Sequence, residues 1–223
     1  MRGIVLATRE SCRKKAYEYL KKEIIENRLT PGSAVIEQKI AGILNMSRTP
    51  VREAIKELES EGLLTNYPYL GTLVSTITID DIEEICELRL VLEVWALKKS
   101  INRITDSDLD KVLSYLNDAM NPFSWEKYHF ADMSLHNLIV EKAGSRRVKE
   151  MLETLNTQVA RFRVASAAYS TRWAESYKEH VEIIELIRKK DLERCTISLT
   201  RHLKLVEAGF IEAFINTKFA NKQ

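Results

Sequence analysis

The stretch Leu44-Asn-Met-Ser-Arg-Thr-Pro-Val-Arg-Glu-Ala-Ile-Lys-Glu-Leu-Glu-Ser-Glu-Gly62 carries its own start signal, two working faces and a stop. Thr49 before Pro50 reads as a helix start, with a side-chain oxygen over the first turn and a proline where no N–H is missed. Val51, Ile55 and Leu58 recur at helical spacing and form the inner face. Arg48, Arg52 and Lys56 fall at i, i+4 and i+8, one basic row on another face. Gly62 supplies the stop. Upstream, Glu37 to Leu44 reads as a short helix with Ile40, Ala41 and Leu44 inward. Two short helices joined by a tight turn, the second with basic side chains near its N-terminus, describe a helix-turn-helix. The basic row alone would fit a solvated charged face equally well, and the continuation favours the first reading.

That continuation, Leu63-Leu-Thr-Asn-Tyr-Pro-Tyr-Leu-Gly-Thr-Leu-Val-Ser75, places two short β-prone runs around a turn rich in Asn66, Pro68 and Gly71. It reads as a hairpin, and a helix-turn-helix followed by a hairpin is the winged form. Pro31-Gly-Ser, Val35-Ile-Glu37, Ile40-Ala41, Met46-Ser-Arg-Thr-Pro-Val-Arg-Glu-Ala54, Glu61-Gly-Leu63 and Leu70-Gly-Thr-Leu-Val74 together resemble the DNA-binding domain of GntR-type bacterial regulators. Many members carry Arg after the Glu of the first helix of that motif. Here the residue is Gln38, so relatives do not specify the operator sequence.

Outward from this core, Glu10 to Arg28 reads as a helix with Ala16, Tyr17, Leu20, Ile24 and Ile25 as its apolar stripe, ended by Thr30-Pro-Gly-Ser33. Thr76-Ile-Thr78 looks like a linker. From Asp80 onward breaks near Ile104-Thr-Asp106, Asn121-Pro122, Gly144-Ser145, Ser170-Thr171 and Lys190-Asp191 cut the chain into helices at about 80–103, 106–120, 124–143, 146–169, 172–189 and 191–216. The expected fold is mostly α: a winged helix-turn-helix over residues 1–76 and a six-helix antiparallel bundle over 77–223.

Composition narrows the class. The 223 residues are 45% hydrophobic and 30% charged, as in globular proteins. No apolar run reaches the length of a membrane span, and Met1 to Ala7 is too short for a secretory signal. Cys12, Cys86 and Cys195 are odd in number and far apart, which argues for reduced thiols in a cytoplasmic protein and against a thiolate zinc site. Residues 1–77 carry 12 Lys/Arg against 9 Asp/Glu, or +3, and the remainder 22 against 23, or −1. The bias agrees with nucleic acid at the first part. No Gly-rich phosphate loop occurs, so nucleotide hydrolysis has no support.

The bundle contains a polar constellation. Asp132 and His136 stand at i, i+4 on a face otherwise made of Leu135, Ile139 and Ala143. His180 is in register with Ile184 and Ile187, and His202 with Leu199 and Val206. From His180 to the turn at Lys190 is roughly 15 Å of helix at ~1.5 Å per residue, and His202 lies about as far beyond it, so the two imidazoles reach one level. A lone His on an apolar face is usually a satisfied core residue. An aspartate and three histidines at one depth are costly to bury unpaired, and a divalent metal offsets that cost. Oxygen and nitrogen donors without thiolate suit zinc, nickel, manganese or another first-row ion.

Phe130-Ala-Asp-Met-Ser-Leu-His136, Glu179-His-Val-Glu-Ile-Ile184 and Arg201-His-Leu203 resemble the metal-ligand segments of the FCD effector domain found in the FadR branch of these regulators. Six helices point to the VanR-like form. The resemblance implies metal ligands Asp132, His136, His180 and His202, and an effector carboxylate paired with Arg89 in Glu87-Leu-Arg-Leu-Val-Leu-Glu93. His129, one turn before Asp132, is an additional imidazole expected at the rim. The implied protein is not an enzyme. It is a ligand-responsive homodimeric regulator on an inverted-repeat operator, with Gln38, Ser47, Arg48, Thr49, Arg52 and Gly71 at the DNA and a small organic acid as effector. The alternatives are a metal-dependent hydrolase fused to a DNA-binding segment, whose candidate bases Glu141 and Glu179 turn off the ligand face, and a sensor of the metal alone.

Overall fold

The computed structural model describes residues 9–165 and 172–220. The expected helix end at 169 and the break at Ser170-Thr171 lie outside the described residues, as does Met1 to Ala7. The chain divides between Thr78 and Ile79 into two compact units.

The first unit contains α1 (Arg9–Ile25), α2 (Glu37–Leu44), α3 (Arg48–Ser60), β1 (Leu64–Tyr67) and β2 (Gly71–Val74). Ala16, Leu20 and Ile24 of α1 pack with Val51, Ala54, Ile55 and Leu58 of α3, and Leu63, Leu64 and Val74 of the hairpin complete the core. The strands are antiparallel, Leu64 opposite Val74 and Tyr67 opposite Gly71. One edge of α3 faces α1 through polar pairs: Arg9 with Glu53, Arg13 with Glu57, and Tyr17 and Lys21 with Glu61 at 2.6 and 2.9 Å. Apolar packing and these pairs fix the rotation of α3, which leaves Arg48, Arg52 and Lys56 exposed. The motif's turn uses Asn45 in the left-handed region, φ 51°, where its backbone N–H reaches the Gly42 carbonyl.

The start of α3 differs from expectation. Its N-cap is Ser47, not Thr49, without a side-chain capping bond, so Pro50 is the third helical residue. The first four N–H groups of a helix lack intrahelical partners, so proline is tolerated there and does not fix the first residue. At the other end Glu61 caps the helix and Gly62 follows with φ 73°, the left-handed residue that stops it.

The second unit is all helical among the described residues: α4 (Ile79–Ser100), α5 (Asp106–Met120), α6 (Trp125–Ala143), α7 (Arg146–Ala165), α8 (Trp173–Arg188) and α9 (Leu192–Ala220). Thr105 and Asp108 form a reciprocal capping box at α5, and Gly144 ends α6 at φ 72°. Helix α4 packs against α6, α7 and α9, and α8 lies along α9. The core of Leu97, Leu109, Leu116, Leu135, Ile139, Ile183, Ile184, Ile187 and Leu199 is fully or almost fully buried. Set into it are Arg89, Glu93, Asp132, His136, His180 and His202, each no more than 2% exposed.

Candidate functional site

Burying six ionisable or imidazole side chains in an apolar bundle needs partners for nearly every polar atom. Helix α6 supplies Asp132 and His136 one turn apart, α8 supplies His180 and α9 supplies His202. One potential ligand atom from each lies within 4.8 Å of the others. The imidazoles crowd together, with ring centroids 4.5 Å apart for His180 and His202 and 5.4 Å for His136 and His202. The register expected from the sequence brings these four residues together.

The surroundings orient the rings. His136 Nδ1 lies 2.5 Å from Glu93 Oε2, and His202 Nδ1 lies 2.7 Å from Glu179 Oε2. An ionised carboxylate only accepts, so each Nδ1 carries a proton, and in the neutral ring Nε2 is then the nitrogen that presents a lone pair. His180 Nδ1 is 3.3 Å from the Tyr128 hydroxyl. His136 Nε2 and His180 Nε2 are buried and make no hydrogen bond. His180 Nε2 sits 3.3 Å from Asp132 Oδ1 without a hydrogen bond between them. Two buried ring nitrogens without hydrogen-bond partners beside a buried carboxylate fit a divalent cation. Histidines tied back at Nδ1 are the usual outer arrangement of such a centre.

Electrostatics follow the same pattern. Burial would raise the Glu93 carboxyl, but Arg89 and His136 outweigh it and hold it at about 2. Burial likewise opposes ionisation of Asp132, and Arg163 with the three imidazoles keeps it well below the carboxylate range. Burial lowers His180 strongly, assisted by His202. Burial also lowers His202, against the Glu179 hydrogen bond. Burial thus disfavours the charged form of His180 and His202 while both carboxylates stay ionised, the protonation that metal binding requires of these four groups.

Arg89 is buried, with Nε 2.5 Å from Glu93 Oε1 in an i, i+4 pair and Nη2 without a partner. His129 stands outside the four-residue group, half-buried and bonded to Arg163. Sequence reasoning missed several groups. Glu93 is four residues after Arg89, a spacing that could have marked it. Glu179 was expected off the ligand face, yet it reaches His202 on α9 and receives Arg172 at 2.5 Å. Arg163 reaches Asp132 Oδ2 at 3.1 Å from α7, with no sequence signal.

In the first unit Gln38, Ser47, Arg48, Thr49, Arg52 and Gly71 are all exposed. An unforeseen acid sits among them. Glu37 accepts Arg52 Nε at 2.7 Å, Arg52 Nη2 at 2.8 Å and Arg48 Nη2 at 3.0 Å. These arginines, Arg52 foremost, hold the Glu37 carboxyl at about 2.

Comparison with known proteins agrees with this architecture. Residues 12–74 match the family of bacterial regulatory proteins named gntR, and residues 84–205 match the FCD domain. The HTH-type transcriptional regulator YdhC of Bacillus subtilis (strain 168) is 28% identical over 190 residues, 83% of this chain and 85% of that protein. A GntR regulator from Rhodococcus sp. RHA1 shares the fold, with a TM-score of 0.77, 22% identity, and 91% of this chain and 99% of that one covered. The Zn2+-bound FCD domain of TM0439 aligns with a TM-score of 0.55 and 26% identity over 64% of this chain and 97% of its own. The hydrolase alternative falls. The relatives are regulators, and its proposed bases are otherwise engaged, Glu179 by His202 and Arg172 and the exposed Glu141 by Lys149 at 3.5 Å. The chain belongs to the gntR family of bacterial transcriptional regulators that carry an FCD effector-binding domain: it is a DNA-binding regulator and not an enzyme.

Proposed function

We propose that the regulator binds its operator through residues 1–76 and binds a divalent metal and a small carboxylic acid effector through residues 77–223, which also form the homodimer contact. The observation that carries the reading is the set of three imidazoles around Asp132, with His136 and His202 each tied back by a carboxylate and buried Nε2 atoms of His136 and His180 left for a cation. Asp132, His136, His180 and His202 hold the metal. When bound, the metal supplies positive charge and a coordination position for an effector carboxylate. Glu93 and Glu179 keep the imidazole lone pairs directed inward, and Arg89 meets the effector with its unused Nη2. Binding in the bundle shifts the populations of arrangements of the two winged units in the dimer. Each α3 enters a major groove, and the two half-sites of an inverted repeat lie about one turn apart. Arg48 and Arg52 contact bases, Ser47, Thr49 and Gln38 the phosphates, and the wing at Gly71 approaches the backbone.

Elemental analysis of the purified full-length protein tests the centre. The wild type should carry one divalent ion per chain, zinc, nickel or manganese. The His180→Ala, His202→Ala double variant should carry none, and His129→Ala should retain it. A double variant that still holds stoichiometric metal would remove the proposed ligand set.

A further inference from the structure

Three guanidinium groups surround the histidine cluster, each on a carboxylate that belongs to it or orients it: Arg89 on Glu93, Arg163 on Asp132 and Arg172 on Glu179. Three positive charges thus cancel three negative ones. Imidazoles that ligate a metal are neutral. A divalent ion therefore leaves this buried centre two charges in excess, and uncompensated charge in a low-dielectric interior is costly. One carboxylate on the metal offsets half of that excess. A second anionic group offsets the rest.

The hydrogen-bond inventory points the same way. A cation satisfies the unpaired nitrogens of His136 and His180, but it does nothing for an N–H donor. Arg89 Nη2 and Arg172 Nη1 are buried donors without acceptors. Water would satisfy them without touching the charge, whereas an oxyanion answers both. Arg172 is the better placed for a second oxyanion. Its Nη2 is taken by Glu179, whose other oxygen holds the His202 ring, so its guanidinium sits one carboxylate away from a metal ligand. Its side chain is 23% exposed, and Glu179 is 12% exposed, so this side of the cluster meets solvent.

We propose that the effector is a small dicarboxylic acid bound as a dianion, with one carboxylate on the metal and the second on Arg172. This rests on the metal-centre reading above and adds the charge of the ligand and the residue that reads it.

The test is calorimetry on zinc-loaded full-length protein with malonate, succinate and glutarate, each beside its monoamide (malonamate, succinamate, glutaramate), which keeps the length and removes one charge. Zinc content is measured on every sample. At least one diacid should bind roughly 30-fold or more tightly than its monoamide, the scale of losing one partner of a buried charge pair. Arg172→Gln should bring the ratio close to one, and Arg172→Lys should restore part of it. Equal binding of diacid and monoamide, absence of binding by all three diacids, or an unchanged ratio in Arg172→Gln overturns the proposal. Loss of zinc from the wild type itself would instead remove the underlying metal reading, which separates the two failures.

Discussion

Glu37 and Arg52 form a two-point pair across the helix-turn-helix, Nε to Oε1 at 2.7 Å and Nη2 to Oε2 at 2.8 Å. The carboxylate thus occupies one edge of the guanidinium and leaves the outer edge, Nη1 with the second Nη2 hydrogen, directed away from α2. That outer edge is the fork that reads guanine O6 and N7. Fixing it beforehand lowers the entropy lost on binding, while the negative charge weakens attraction to phosphates of any sequence. Glu37→Gln is therefore expected to raise affinity for scrambled DNA and to reduce discrimination for the operator by about 1 kcal/mol, roughly fivefold. Anisotropy titrations with both duplexes check this. An unchanged ratio would show that Glu37 does not position Arg52.

The reading arginine itself has a larger expected effect. Arg52→Ala should weaken operator binding by about 1–3 kcal/mol and relax preference at one base pair of each half-site. Adding Arg48→Ala should weaken it further. Arg52 lies at the surface, with its side chain 55% exposed, so the melting temperature should hardly move. Operator affinity that survives the double substitution would rule α3 out as the reading helix.

The helical frame and the four clustered residues were legible because both follow from periodicity. Asp132 and His136 lie one turn apart on an apolar stripe, and His180 and His202 are nearly equidistant from the turn at Lys190. The α3 start was not legible to the residue, because Thr49-Pro50 suits the second and third helical positions as well as the cap and first. The groups that orient and charge the cluster were hidden for a different reason. Glu93, Glu179 and Arg163 have long side chains that reach across to other helices, and Arg172 at the start of α8 reaches two turns along to Glu179, so helical phase assigned from the backbone does not say where their polar ends arrive. Glu179 shows the effect: off the ligand face by phase, it nevertheless binds His202 at 2.7 Å.

The Glu93 carboxylate supports a further prediction. It is 1% exposed and bridges Arg89 and His136. Glu93→Gln keeps the shape but removes the charge that makes Nδ1 the protonated nitrogen, and it leaves the Arg89 guanidinium buried without its counter-ion. Metal affinity is expected to fall about 10–100-fold, the usual cost of losing an outer carboxylate on a ligating histidine. Competition with a chromogenic chelator measures it. Unaltered affinity would mean that Glu93 serves only to neutralise Arg89.

The buried imidazoles also fix how stability varies with pH. Burial holds His180 well below and His202 below the ordinary imidazole range, in a fold where both are 1% exposed or less. In the unfolded chain both titrate near ~6.5. Below that value the unfolded state binds protons that the folded state refuses. The stabilising difference is therefore fully present above ~6.5 and is lost as pH falls toward the folded values, by at most about 1.4 kcal/mol per pH unit for each imidazole. The depressed carboxyls of Asp132 and Glu93 act in the same direction, but below the ordinary carboxylate range, outside this window. Metal-stripped protein should thus show a melting temperature that declines from pH 7.5 to 5.5. In the His180→Gln, His202→Gln variant, whose amides do not titrate, the decline should be shallower even if the whole curve lies lower. With metal present the sign is unchanged and the slope steeper, because protons then compete with the ion for the same nitrogens. A wild-type melting temperature that stays level or rises over this interval would mean that folding does not lower the two imidazoles below their unfolded value.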